Sequence, residues 1–160
     1  MRKLVTAAIT AAFVAVCLVG GAGAATAAPI PQVTFTGYNF GAVGDHSFCR
    51  GAMNVSVDTV PRKRGVLRVT ARSFGFSGQG ATWKRNPKCK LLLWNVYTST
   101  RGLNKEKWVT VSFGPRPGEK RTWEIPSGSG PVSLGIGAFA PNNPVRVPAG
   151  YGSTIYMVVP

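Results

Sequence analysis

Residues 53–58 read Met-Asn-Val-Ser-Val-Asp and residues 67–72 read Leu-Arg-Val-Thr-Ala-Arg, and the alternation in both decides the fold. Apolar side chains recur at every second position. An extended chain gathers such residues on one face, whereas a helix would scatter them around its axis. The same period runs through Val33 and Phe35 against Thr34 and Thr36, and through Val109, Val111 and Phe113 against Thr110 and Ser112. Lys90–Tyr97 is more continuously apolar, with Leu91, Leu93 and Tyr97 on one side and Leu92, Trp94 and Val96 on the other, which suits a central strand. Shorter strands are expected at Arg121–Ile125, Val132–Phe139 and Thr154–Val159, with Gly, Pro and Asn punctuating the gaps. Gly75–Gly80, rich in glycine, reads as a flexible turn. The expected fold is all-β, a single antiparallel β-sandwich (immunoglobulin-like) of about seven to eight strands with little room for helices.

Upstream of this pattern the chain changes character. Arg2 and Lys3 precede an unbroken run of apolar and small residues from Leu4 to Val19, and Gly20–Ala28 is uniformly small, the composition of a cleavable signal helix. Residues 1–28 are therefore expected to be a secretory signal peptide, cut after Ala27 or Ala28. Residues 29–160 form one domain, whose roughly 130 residues suffice for a single core. No later apolar run approaches membrane-spanning length, so no transmembrane segment is expected in the mature chain. Losing Arg2 and Lys3 leaves the remaining basic residues against five acids, Asp45, Asp58, Glu106, Glu119 and Glu124, a net charge of about +12.

Cleavage also removes Cys17, leaving Cys49 and Cys89 in an oxidising compartment, where one disulfide is expected. If consecutive strands alternate in direction, the strands beginning near Gly51 and Lys90 start at the same end of the fold. Cys49 and Cys89 sit just before those starts, with the parity of Met53 and Leu91. The immunoglobulin pattern is met only in part. That family places a Trp shortly after the first cysteine, whereas Trp83 here precedes Cys89. With its Ala/Gly-rich leader followed by one compact β domain of few cysteines, the chain resembles small secreted single-domain β-sandwich proteins of actinobacteria. The resemblance implies a bacterial secreted, extracellular or cell-envelope setting and transfers no active site.

Reactive side chains are few. His46 beside Asp45 is the one place where a base and an acid are close in sequence, but neighbouring side chains are expected to point apart, leaving an exposed histidine in a polar turn. Glu106, Glu119 and Glu124 each have a basic neighbour, which reads as surface charge balance rather than a glycosidase pair. The inventory offers no cluster for zinc or calcium and no phosphate loop, so no catalytic residue, metal or cofactor is assigned. Asn54-Val55-Ser56 has the form of a glycosylation acceptor but lies within an expected strand.

Basic residues are the chemical feature that stands out. They gather at turns: Arg62, Lys63 and Arg64; Lys84, Arg85 and Lys88; Lys120 and Arg121. Trp83, Trp108 and Trp123 lie close to basic residues in sequence, and cations flanked by aromatic rings suit polyanions or sugar phosphates. Strand alternation puts the Lys84–Lys88 and Arg116 loops at the end shared with Arg50, and Arg62–Arg64 with Arg101–Lys105 at the other. The leading expectation is a monomeric, noncatalytic binding protein attracted to anionic surface polymers, a membrane surface or, nonspecifically, nucleic acid. The alternative is a secreted antagonistic effector, an antibacterial protein or a protease inhibitor, presenting Phe113–Lys120 or Ala140–Gly152 as a rigid loop. A small hydrolase using His46 or a carboxylate pair stands third.

Overall fold

The computed structural model describes residues 29–160; the expected signal peptide and Cys17 lie outside the described residues. Among the described residues nine strands are formed: β1 (Gln32–Thr34), β2 (Asn39–Val43), β3 (Arg50–Val60), β4 (Lys63–Ser77), β5 (Cys89–Ser99), β6 (Gly102–Phe113), β7 (Lys120–Ile125), β8 (Gly130–Phe139) and β9 (Pro148–Val159). One short helix, α1 (Gly80–Arg85), joins β4 to β5. Neighbours along the path β6-β5-β8-β9-β2-β3-β4-β7 pair antiparallel, and β1 adds to the flank of β9.

The path folds over on itself as a sandwich that is nearly a closed barrel. One half holds β2, β3, β4 and β7, and the other β1, β9, β8, β5 and β6. They join through the single pair Ala42↔Gly150. A side chain at Gly150 would strike the Gly41 carbonyl oxygen and come within 2.9 Å of Ala42 Cα, so glycine is what lets the two backbones cross. On the opposite side β6 and β7 are not paired, but Lys107 Nζ donates to the Glu124 carbonyl at 2.7 Å and bridges the gap.

The alternating residues supply the core. Met53, Val55 and Val57 of β3 and Leu67, Val69 and Ala71 of β4 are buried, and so are Leu91 and Leu93 of β5, Leu134 and Ile136 of β8 and Ile155 of β9. Burying a side chain of this size stabilises the fold by about 1.5–3 kcal/mol each, which is why register follows the pattern of two so closely. Cys49 and Cys89 form the expected disulfide, with their Cα atoms 5.7 Å apart, tying the start of β3 in one half to the start of β5 in the other.

Asn95, one of the few buried polar residues beside Ser73, Ser127 and Ser153, is a second tie between the halves. It is fully buried in β5; its Nδ2 donates to the Lys107 carbonyl at 3.0 Å, and its Oδ1 accepts the Trp123 indole N–H of β7 at 2.9 Å. A buried amide satisfied on both sides costs little, whereas one left half-paired is expensive.

Three details depart from the sequence reading. Strand β2 was not anticipated: it is five residues long, and Phe40 and Ala42 are its only buried side chains. In β1 the apolar parity faces outward, with Val33 and Phe35 exposed. Gly75–Ser77 is not a turn but the end of β4. The ladder with β3 slips between Met53↔Ser73 and Gly51↔Phe76, Gly75 takes φ 103°, and Phe76 is returned to the core.

Replacing Trp123 with Phe keeps the ring but strands the Asn95 acceptor inside the core. A loss of roughly 1–3 kcal/mol is expected, read as a lower urea midpoint at unchanged slope. A change under about 0.5 kcal/mol would show that this bond does not matter to the fold.

Candidate functional site

The disulfide end is built around the turn after β2. Gly44 N–H donates to the Cys49 carbonyl at 2.8 Å and Cys49 N–H to the His46 carbonyl at 2.9 Å, which requires left-handed backbone at Ser47 (φ 55°) and Phe48 (φ 48°). A side chain at Gly44 would run into both disulfide sulfurs and the Lys90 carbonyl. The turn therefore sits directly on the disulfide.

The tight turn corrects the expectation for Asp45 and His46. Their side chains do not point apart: His46 Nδ1 lies 2.8 Å from Asp45 Oδ1, and Nε2 lies 3.1 Å from the Asn86 carbonyl. Both neighbours are acceptors, so the ring is best accommodated with a proton on each nitrogen. Hydrogen bonding to Asp45, and then to the Asn86 carbonyl, holds the His46 pKa above its ordinary value. Burial pushes the Asp45 carboxyl up, but the Lys90 amide and His46 outweigh it and leave the group below its ordinary value. With both ring nitrogens committed, this pair straps the turn to β5 and offers no free base. Asp45 Oδ1 also lies 3.8 Å from Cys49 Sγ, within a cluster with Cys89. Both sulfurs are in the disulfide and present no thiolate to a metal.

At the same end of the sandwich, on elements that start or finish there, lie Arg50, Lys84, Arg85, Lys88, Lys90, Arg116, Lys120 and Arg121, a basic rim. Its acids are occupied within the fold: Asp45 as above, and Glu119, which accepts the Gly114 N–H at 3.1 Å and lies 3.4 Å from Lys88 Nζ and 3.5 Å from Arg121 Nη2. Lys84, Arg85, Lys88 and Lys120 are exposed, while Arg121 is half-buried, its guanidinium 5.6 Å from the Phe113 ring centre. Arg62, Lys63 and Arg64 sit at the opposite end, on the β3–β4 hairpin, where Lys63 pairs with Glu124 at 2.8 Å. Gly65 there accepts from Gly128, which lies against the Arg101 side chain. The two basic groups are not brought together, and cations mark both ends, as strand alternation requires.

The three tryptophans separate. Trp123 is a core residue, only 7% exposed. Trp83, on α1, packs over Gly78 and stands 6.0 Å from His46. Trp108 lies on the outer face of the β5–β6–β8–β9 half, where it meets Trp94 and Phe139 with ring centres 5.2–6.1 Å apart, and Arg146 places its guanidinium 4.5 Å over the Trp108 ring.

Beside that aromatic cluster runs a groove of about 410 Å³ along β8, whose outward positions Gly135 and Gly137 carry no side chain. Trp94 and Val96 of β5 wall one side, and Tyr151 and Thr154 of β9 the other. The groove was not anticipated from sequence. Its signals were the alternation of Gly135 and Gly137 with buried Ile136 and Ala138, and the aromatic side of β5, which reads as core until the register is known.

Comparison with protein-family models, curated proteins and solved structures finds no match to this chain. Fold and surface chemistry together define a disulfide-tied, strongly basic antiparallel β-sandwich.

His46 is the chain's only histidine, so pH isolates it. Its folded pKa lies above the unfolded value, so the folded state binds the extra proton. The stability this contributes is complete below about pH 6.5 and is lost as pH rises through the raised value. The urea midpoint of the wild type should fall as pH rises from about 6.5 through the raised value, and that of His46→Gln should be flat over the same range. The same slope in both proteins would remove the strap from the account.

Proposed function

We propose that this chain is a noncatalytic binding protein, exported to the extracellular space or the cell envelope and held there by anionic surface polymers. The observation that carries the reading is the basic rim at the disulfide end, whose two acids are already engaged inside the fold. The remaining cations there are left to act on external anions, and a field of one sign concentrates counter-charged polymers at the surface. Export is supported by the signal-like first 28 residues and by the disulfide, which persists in an oxidising compartment. The noncatalytic reading is supported by His46, whose ring nitrogens both face acceptors.

Charge of this kind predicts affinity that falls linearly in log–log terms with salt. On a heparin column the protein should elute late at low ionic strength, and a Lys84→Glu, Arg85→Glu, Lys120→Glu variant should elute much earlier than an Arg62→Glu, Lys63→Glu, Arg64→Glu variant. Equal shifts would reassign the effect to bulk charge, and absence of retention at low salt would overturn the reading. Competition by short duplex DNA or by anionic vesicles tells which anion is preferred.

A further inference from the structure

We propose that the groove over β8 is a glycan subsite, stacking one pyranose ring of an acidic polysaccharide against its aromatic wall. The proposal rests on the reading of the chain as a binder of anionic surface polymers and names the class of polymer.

The glycine at 137 is the starting point. It takes no left-handed backbone, and an added Cβ would meet only Phe139 Cε2 at 3.8 Å and Trp94 Cε3 at 4.0 Å, both ordinary contacts. Neither backbone nor packing demands glycine there, although glycine within a strand costs entropy and packing. A glycine inside a strand marks a bulge or a close approach to the backbone; the β8–β9 ladder is irregular between Gly137 and Phe139, and the bare floor left there is open to a ligand. Gly135 beside it extends the bare floor, while β5 and β9 stand two strand spacings apart, roughly 10 Å, on either side.

The walls suit a sugar. Trp94 is locked by its contacts with Trp108 and Phe139, so its ring is a fixed surface, and Tyr151 opposite is 83% exposed. A pyranose presents C–H groups on its faces and hydroxyls around its rim, matching an aromatic wall beside Thr154 and the strand backbone. The Trp94 indole N–H is buried and has no acceptor among the described residues.

Other occupants fit less well. A peptide adding as a strand needs an unpaired edge, but β8 lies between β5 and β9 with both ladders filled. A nucleic acid would bring a flat base to the same wall, but a base carries no rim of hydroxyls to meet Thr154 and the strand backbone. Arg146, held over Trp108 just outside, supplies a single cation, which fits a ring stacked in the groove with its acidic group reaching the rim.

The test is a titration of intrinsic tryptophan emission with sodium polygalacturonate at low salt, with polyphosphate as a sugar-free polyanion. Polygalacturonate should shift the wild-type emission. Gly137→Val, which fills the floor, should weaken that binding roughly tenfold, about the effect of one lost stacking contact, while polyphosphate binding stays unchanged. Tyr151→Ala, at a side chain exposed to solvent, should weaken polygalacturonate in the same direction and decides the matter if Gly137→Val does not fold. The glycan proposal alone is overturned if polyphosphate binds but the folded variants take polygalacturonate as the wild type does, or if both polyanions weaken in parallel. It is also overturned if light scattering finds a dimer that Tyr151→Ala abolishes, which makes a second copy the occupant. Failure of both polyanions to bind the wild type would bring down the electrostatic reading and the subsite together.

Discussion

The Cys49–Cys89 disulfide is the constraint around which one end of this protein is organised. The ladders of the two halves share a single pair, Ala42↔Gly150, so elsewhere the halves are held by side chains and by isolated backbone bonds such as Asp45 N–H to the Lys90 carbonyl and Phe76 N–H to the Gly114 carbonyl. Closing the loop between the cysteines, which are 40 residues apart, contributes about 4 kcal/mol on the chain-entropy model. What packs on the disulfide depends on it in turn. Gly44 has no space for a side chain, the turn it begins aims Asp45 at the Lys90 amide, and His46 then reaches Asn86 and the Trp83 ring. The Asn95–Trp123 bond and the Lys107–Glu124 bridge hold the remaining side, where no ladder joins β6 to β7.

The same pleat gives the two halves very different outsides. On β3, β4 and β7 the outward positions read Asn54, Ser56 and Asp58, then Arg72, Thr70 and Arg68, then Lys120, Thr122 and Glu124, aligned by register into polar rows. That face interacts with water, and its charges are of mixed sign. On β5, β6 and β8 the outward positions read Leu92, Trp94 and Val96, then Thr110, Trp108 and Glu106, then Phe139, Gly137 and Gly135. An apolar outer face beside bare backbone is a liability for a protein of this size unless it is covered, and only part of it is, by Arg146 and the ring contacts.

How far the sequence reached follows from what a period of two can say. Alternation at residues 53–58 and 67–72 identifies an inner face because the other parity is polar, and the cysteine pairing follows from strand direction. In β5 both parities are apolar. The parity of Cys89 points Leu91 and Leu93 inward, as the structure has them, but that Trp94 and Val96 wall a groove follows only once β8 is known to lie alongside with glycines opposite. Arg146 over Trp108 and Asn95 under Trp123 join residues distant in sequence, and only the fold brings them together. Asp45 and His46 were misread for a local reason: two successive non-glycine residues in left-handed backbone are uncommon, and nothing in Ser47-Phe48 announces them.

Charge and groove act over different ranges, and this bears on how a binder of this shape would work. At physiological ionic strength a surface field extends about 8 Å, enough to gather an anionic polymer at either basic end but not to orient it. A field of that reach, even one strongest at the disulfide-end rim, does not tell one polyanion from another. Selectivity then has to come from a surface whose shape is fixed, and a clamped tryptophan over a bare strand is fixed by the same ladders that build the core. In such a binder charge would set how much polymer arrives, while the side chains absent at Gly135 and Gly137 would set what fits against the sheet.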